Sequence, residues 1–251
     1  MLARSYIAWA SGATALDRAE ATIRLADAYL YATLSLEDLV ETEAALTVAL
    51  DDPSPLVRRA LAEAFAAHPD APRAIVSALA SDQSDVGAIV LARSPLLSDA
   101  ELVDCAALGD ALSQVAIATR PSLSAPVCAA IAEIGCAEAL VTLLRNASAD
   151  IPAFSLTRML DRHGEDGAVR EAMLDRPRLP VELRHRLARL CARCLSEWTR
   201  TLGAMTDPRA ERMLADSSDA ATLSIALGAT DDELPRLLAY LRREGELTPG
   251  G

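Results

Sequence analysis

The sequence predicts an all-α protein, a right-handed α-solenoid of stacked helix pairs, on three observations. Apolar residues make up 51% of the 251 positions but aromatics only 3%. Ala and Leu, both strong helix formers, carry most of that apolar fraction, and β-branched alternation is nearly absent. Finally, Pro69, Pro95 and Pro121 stand 26 residues apart and open similar phrases, such as Pro95-Leu-Leu-Ser98 and Pro121-Ser-Leu-Ser124. Short helices of about three turns do not hold together alone in water, so helix pairs at a fixed period must stack on their neighbours.

In chain order, helical spacing of Leu16, Ala19, Ile23, Ala26 and Leu30 predicts a helix over 13–33, with Trp9 packing at its base. A second helix follows Ser35, carrying Leu36, Leu39, Val40, Leu46 and Leu50. Asp51–Pro69 then reads as a loop with a built-in helix start. Ser54 can cap the first turn, and Pro55 at the first helical position has no amide hydrogen to satisfy. Leu56, Ala60 and Ala64 with Leu61 and Phe65 form the expected buried stripe.

Helix pairs are expected at 55–67/72–81, 84–93/98–107, 110–119/124–134, 136–145/151–163 and 166–174/180–203. Ser98 and Glu101 have capping-box spacing, and Arg145-Asn-Ala-Ser148 sits where the next proline would fall. Pro177 resumes the pattern 56 residues after Pro121. The helix from about Pro180 to Leu202 is the longest. At 100° per residue, its Leu183, Leu187, Leu190, Cys191, Cys194, Leu195, Trp198 and Leu202 span about 140°, an arc suited to the core. Arg186, Arg189, Arg193 and Arg200 gather within about 60° on another side. Past Gly203, one helix can start at Asp207-Pro208, another spans Ser217–Gly228 and a last one Asp231–Glu244. The expected domains are therefore a repeat array over 1–203 and, over 204–251, helices that continue or cap it, with a disordered tail from about 246.

Leu50-Asp-Asp-Pro-Ser-Pro-Leu-Val-Arg-Arg-Ala60 resembles a HEAT-type repeat, in which an Asp precedes an Arg by six residues; here these are Asp52 and Arg58. The resemblance implies a structural role for that pair, tying adjacent repeats. The wider run, including Trp9, the segment to Phe65 and Leu91–Val103, resembles the bacterial domain of unknown function 2336 over most of residues 1–190. That family implies no known activity, and its members usually continue with further helices beyond the point matching Leu247-Thr-Pro249.

Charge and motifs narrow the function. All 24 basic residues are Arg, and the net charge is −12. Residues 1–155 hold 9 Arg against 20 acids, net −11, whereas 156–251 hold 15 against 16, net −1. An acidic first half repels phosphate backbones, so no nucleic-acid partner is expected. The start of the chain has too short an apolar run for a signal peptide, and no segment approaches the roughly 20 apolar residues of a membrane span. With five scattered cysteines, the expectation is a cytoplasmic protein with reduced, buried thiols.

Cys191-Ala-Arg-Cys194 has the spacing of half a zinc site, but a second pair is lacking, and both fall on the apolar arc. Asp161-Arg-His163-Gly-Glu165-Asp166 reads as a polar loop between two helices, with Gly164 ending the first, rather than a metal or general-base site. His68 sits at a helix end, and His185 on the polar side of the long helix. Phosphate-binding glycine motifs are missing. No catalytic, metal or cofactor-binding residue is assigned and no cofactor is expected. The leading expectation is a non-enzymatic protein-interaction scaffold. Arg186, Arg189, Arg193 and Arg200 would dock an acidic segment of a protein partner or of a second copy, against the blander reading of a solvated face that pairs internally, Arg193 with Glu197. The alternative is a HEAT-like enzyme acting on nucleic acid or a modified protein, because this architecture also hosts enzymes.

Overall fold

A computed structural model describes residues 2–203 and 207–247. Every regular element among them is an α-helix, and no strand occurs there. The chain divides into two compact units, 1–151 and 152–251, so the domain boundary expected after residue 203 falls inside the second unit. The expected disorder of Thr248–Gly251 lies outside the described residues.

The first unit comprises α1 (Leu2–Ala10), α2 (Ala15–Tyr31), α3 (Leu36–Leu50), α4 (Pro55–Phe65), α5 (Arg73–Ala80), α6 (Ser84–Arg93), α7 (Asp99–Leu108), α8 (Ala111–Ala118), α9 (Ala125–Ile134) and α10 (Ala137–Arg145). The even-numbered helices pack in series, α2 on α4, α4 on α6, α6 on α8 and α8 on α10. A second series of odd-numbered helices includes α1 on α3, α3 on α5 and α7 on α9. From α4 to α13 the helices fall within about two residues of the positions their punctuation predicts, as helix-end assignments allow. Proline and serine act through local geometry, and that geometry does not depend on distant contacts.

The faces differ more. On α4 the buried residues are Val57, Leu61, Ala62 and Phe65, whereas Leu56 is exposed. On α2 they are Ala19, Thr22 and Ala26, leaving Leu16 and Ile23 outside. Helix α2 thus turns a face of small residues inward, whereas α4 buries a face rotated from its expected stripe that still carries Val57, Leu61 and Phe65. The N-terminal residues form a helix of their own, in which Trp9 is half exposed and its ring lies 6.0 Å from Tyr6. Tyr6 shares a hydrogen bond with Thr22 on α2 (3.1 Å).

Polar rungs join successive even helices. Near the start of each, one side chain holds the loop that leads into the next. Arg18 of α2 pairs in bidentate fashion with Asp52 ahead of α4 (2.6 and 2.8 Å). Arg58 of α4 does the same with Asp82 ahead of α6 (2.7 and 3.1 Å). Ser84 of α6 donates to Asp110, the N-cap of α8 (2.6 Å). The amide oxygen of Gln114 on α8 accepts from the backbone N–H of Cys136 ahead of α10 (2.9 Å). In α6 the helix position occupied elsewhere by Arg18, Arg58 and Gln114 is Gly87. A Cβ there would stand 3.2–3.3 Å from the carbonyl oxygens of Leu79, Ala80 and Asp82, so glycine allows the preceding helix end to close in.

The second unit holds α11 (Ala153–His163), α12 (Gly167–Leu174), α13 (Val181–Thr201), α14 (Asp207–Leu227) and α15 (Glu233–Arg243). The long helix packs on α12, α14 and α15. The two helices expected at Asp207 and Ser217–Gly228 are one. Ser217 is a competent helix starter, but no proline or glycine interrupts 209–227, and the helix runs through it. Val181, Leu237 and Leu241 form a small core, against which Ile225, Tyr240 and Leu247 pack.

Candidate functional site

The N-terminal half of α13 points its apolar side inward, with Leu183 and Leu187 buried, while Leu195, Trp198 and Leu202 are exposed. The apolar arc expected to be core therefore serves as core over only part of its length. Cys191 and Cys194 are free thiols, half buried rather than sealed inside. No group of three or more potential metal ligands occurs among the described residues.

Next to this core lies a cleft of about 570 Å³, formed by α11, the loop after it, α13, α14 and the segment around Tyr240 and Glu246. Arg186, Arg189 and Arg193 all line it, at the spacing that places them on one side of the helix. The fourth expected residue, Arg200, is exposed on the last turn of α13 and does not reach the cleft.

Each of these three α13 arginines in the cleft meets a carboxylate from elsewhere in the second unit. Arg186 pairs with Asp161 of α11, Arg193 with Glu165 in the following loop (3.3 Å), and Arg189 with Glu246. Arg193 thus reaches across to α11's exit loop rather than along its own helix to Glu197. The acidic run 161–166 supplies two of these partners. The remaining acid, Asp166, caps α12 by accepting from the backbone N–H groups of Ala168 and Val169.

Two features beside the cleft were not legible in the sequence. His185, placed on the polar side by helical spacing, is 1% exposed, because α14 and α15 cover that side of α13. Its Nε2 lies 2.9 Å from the hydroxyl of Thr222. That hydroxyl already donates to the carbonyl of Ser218, so it accepts from His185, which fixes the proton on Nε2. Burial, and then the positive charge of Arg189, hold the imidazole below its ordinary pKa and favour the neutral form. His185 Nδ1 has no hydrogen-bond partner. The ring also lies edge-on to Tyr240, at 5.7 Å.

The second feature is Glu246. The sequence assigned it to the start of a disordered tail, but it is half buried: its backbone N–H donates to the carbonyl of Leu241 (2.9 Å), and its carboxylate lies 3.5 Å from His185 Nε2 as well as against Arg189. Gly245, at φ +73°, makes the reversal that returns the chain to α13.

The expected brace behaves differently from its sequence spacing. Arg58 donates to the backbone carbonyl of Asp52 (2.7 Å), whereas the Asp52 carboxylate is taken by Arg18 and by the N–H of Ser54 (2.9 Å). Ser54 is the N-cap of α4 but makes no side-chain capping bond. No described helix is long and apolar enough to cross a membrane.

Over residues 86–250 the chain matches the family described as "Uncharacterised protein conserved in bacteria (DUF2336)". That span contains the whole cleft and Leu91–Val103, and it starts beyond Asp51–Phe65. No curated protein and no solved structure matches the chain.

Proposed function

The chain belongs to this uncharacterised bacterial family, and from that premise we propose that it is a non-enzymatic scaffold that docks an acidic segment of a protein partner in the arginine cleft of its second unit. The first unit supplies the stiff part, a HEAT-like right-handed solenoid. Two-series packing and polar rungs from one even helix to the next support this reading, since they are what a stack of repeated helix pairs needs.

The observation that carries the docking proposal is that Arg186, Arg189 and Arg193 open into one cleft beside Tyr240. Guanidinium groups present paired donors in a fixed plane that matches carboxylates, and a neighbouring aromatic adds apolar contact. Arg200 extends the same face past the cleft, where it steers rather than grips.

The test replaces Arg186, Arg189, Arg193 and Arg200 together by Gln, confirms helix content by circular dichroism, and compares crosslinked partners captured from the native cell. The expected result is loss of the captured partner in the variant and weakening of wild-type capture by salt, since exposed charges are screened over about 10 Å at 0.1 M. Unaltered capture by a folded variant at low salt would put the partner site elsewhere.

A further inference from the structure

The sharpest clue to what the cleft takes is that the protein already holds something in it. Asp161 belongs to a helix, so its carboxylate is delivered by regular structure. Glu246 is different: it lies past the end of α15, on a short return made at Gly245. Its carboxylate pairs with Arg189 and approaches buried His185, while the next residue, Leu247, packs on the core of Val181, Leu237 and Leu241. A charged group and the aliphatic side chain after it are thus received in two adjoining places of different chemistry.

We propose that Glu246-Leu247 is an internal stand-in for the partner, and that the cleft recognises a partner segment in which an acidic residue is followed by a large aliphatic one. The proposal rests on the reading of the cleft as an acidic-segment site and adds the ligand's pattern and its built-in competitor. The partner's carboxylate takes the place of Glu246 on Arg189, beside buried His185. Its aliphatic side chain takes the place of Leu247. Selectivity for the aliphatic residue follows from that neighbouring core, which a polar residue would not fill. Occupation by Glu246 lowers the apparent affinity by the fraction of time the place is taken.

The experiment uses the full chain and fluorescent peptides acetyl-Ala-Glu-Leu-Ala, acetyl-Ala-Gln-Leu-Ala and acetyl-Ala-Glu-Ser-Ala. Glu246→Gln removes the competing charge with little change of shape. It should bind the Glu-Leu peptide about tenfold more tightly than the unaltered protein, if the stand-in fills the place about nine-tenths of the time. The Gln-Leu and Glu-Ser peptides should bind more weakly, and Arg189→Gln added to Glu246→Gln should remove the gain. Leu247→Ser provides a second route, since it loosens the stand-in while leaving its carboxylate in place, and it should also strengthen binding. Melting curves establish that each variant folds.

If neither variant binds the Glu-Leu peptide more tightly than the unaltered protein, the stand-in is overturned, and so it is if all three peptides bind alike. The broader reading survives either result as long as capture of the cellular partner depends on the arginines. Arginine-independent capture overturns that broader reading by itself.

Discussion

Asn146 donates from its side-chain amide to the backbone carbonyl of Arg120 (2.7 Å), 26 residues earlier, just as Arg120 donates to the carbonyl of Ser94 (2.7 Å), 26 residues earlier again. The repeat seen as proline spacing is thus also a spacing of hydrogen bonds. Each residue closes the helix end of one pair onto the helix end of the pair before it. Asn146 reaches the carbonyl of Ala118 as well (3.0 Å), and Arg120 that of Leu91 (2.6 Å). Asn146→Ala should leave these carbonyls short of a donor and cost on the order of 1–3 kcal/mol, read as a lower unfolding midpoint in denaturant. An unchanged midpoint would mean that water replaces the amide without loss.

Asp52→Ala should destabilise the first unit by a similar amount, on the order of 1–3 kcal/mol, because it strands the half-buried Arg18 and removes the acceptor for Ser54 N–H. Asp82→Ala should act alike through Arg58. The check is whether Arg18→Ala, made on top of Asp52→Ala, costs less than Arg18→Ala alone, as a coupled pair requires. Retained stability in Asp52→Ala together with loss of partner capture would make this residue a contact site instead of a brace.

The acid limb of stability should contain a share from Glu101. Hydrogen bonds from the hydroxyl and backbone N–H of Ser98 hold its carboxyl down to about 2, from an ordinary 4.5. Because the folded value is the lower one, this stabilisation is complete above about 4.5 and fades as the pH drops towards 2. The gap in melting temperature between the unaltered protein and Glu101→Gln should therefore be widest near neutrality and narrow across that window. A gap independent of pH would show that the capping bonds act without the charge.

Cys191→Ser with Cys194→Ser should change stability by on the order of 1 kcal/mol or less, since both thiols are only half buried. Elemental analysis of the purified protein should find no metal in proportion to chain. One zinc per chain, lost in the double variant, would reverse this reading.

Helix positions were legible because their signals are local: Pro55 starts α4, and Ser98 and Glu101 cap α7. Along α13, spacing alone placed Arg186, Arg189 and Arg193 on one face, and they do share one cleft. Which side of a helix is covered depends on neighbours that periodicity does not name. Leu56 and Trp198 are therefore exposed despite lying on apolar stripes, and His185 is buried despite lying on a polar one.

What the sequence determined by itself is the all-α class, the positions of most helices and the arginine stripe, all consequences of residue types a few positions apart. Tertiary structure alone decided the partners. The Asp52 carboxylate meets Arg18 while Arg58, paired with it by resemblance, takes its backbone carbonyl, Arg193 meets Glu165 instead of Glu197, and Glu246 returns to Arg189. A long charged side chain can reach many acids of equal chemistry, and the one it keeps is set by which helices pack beside it.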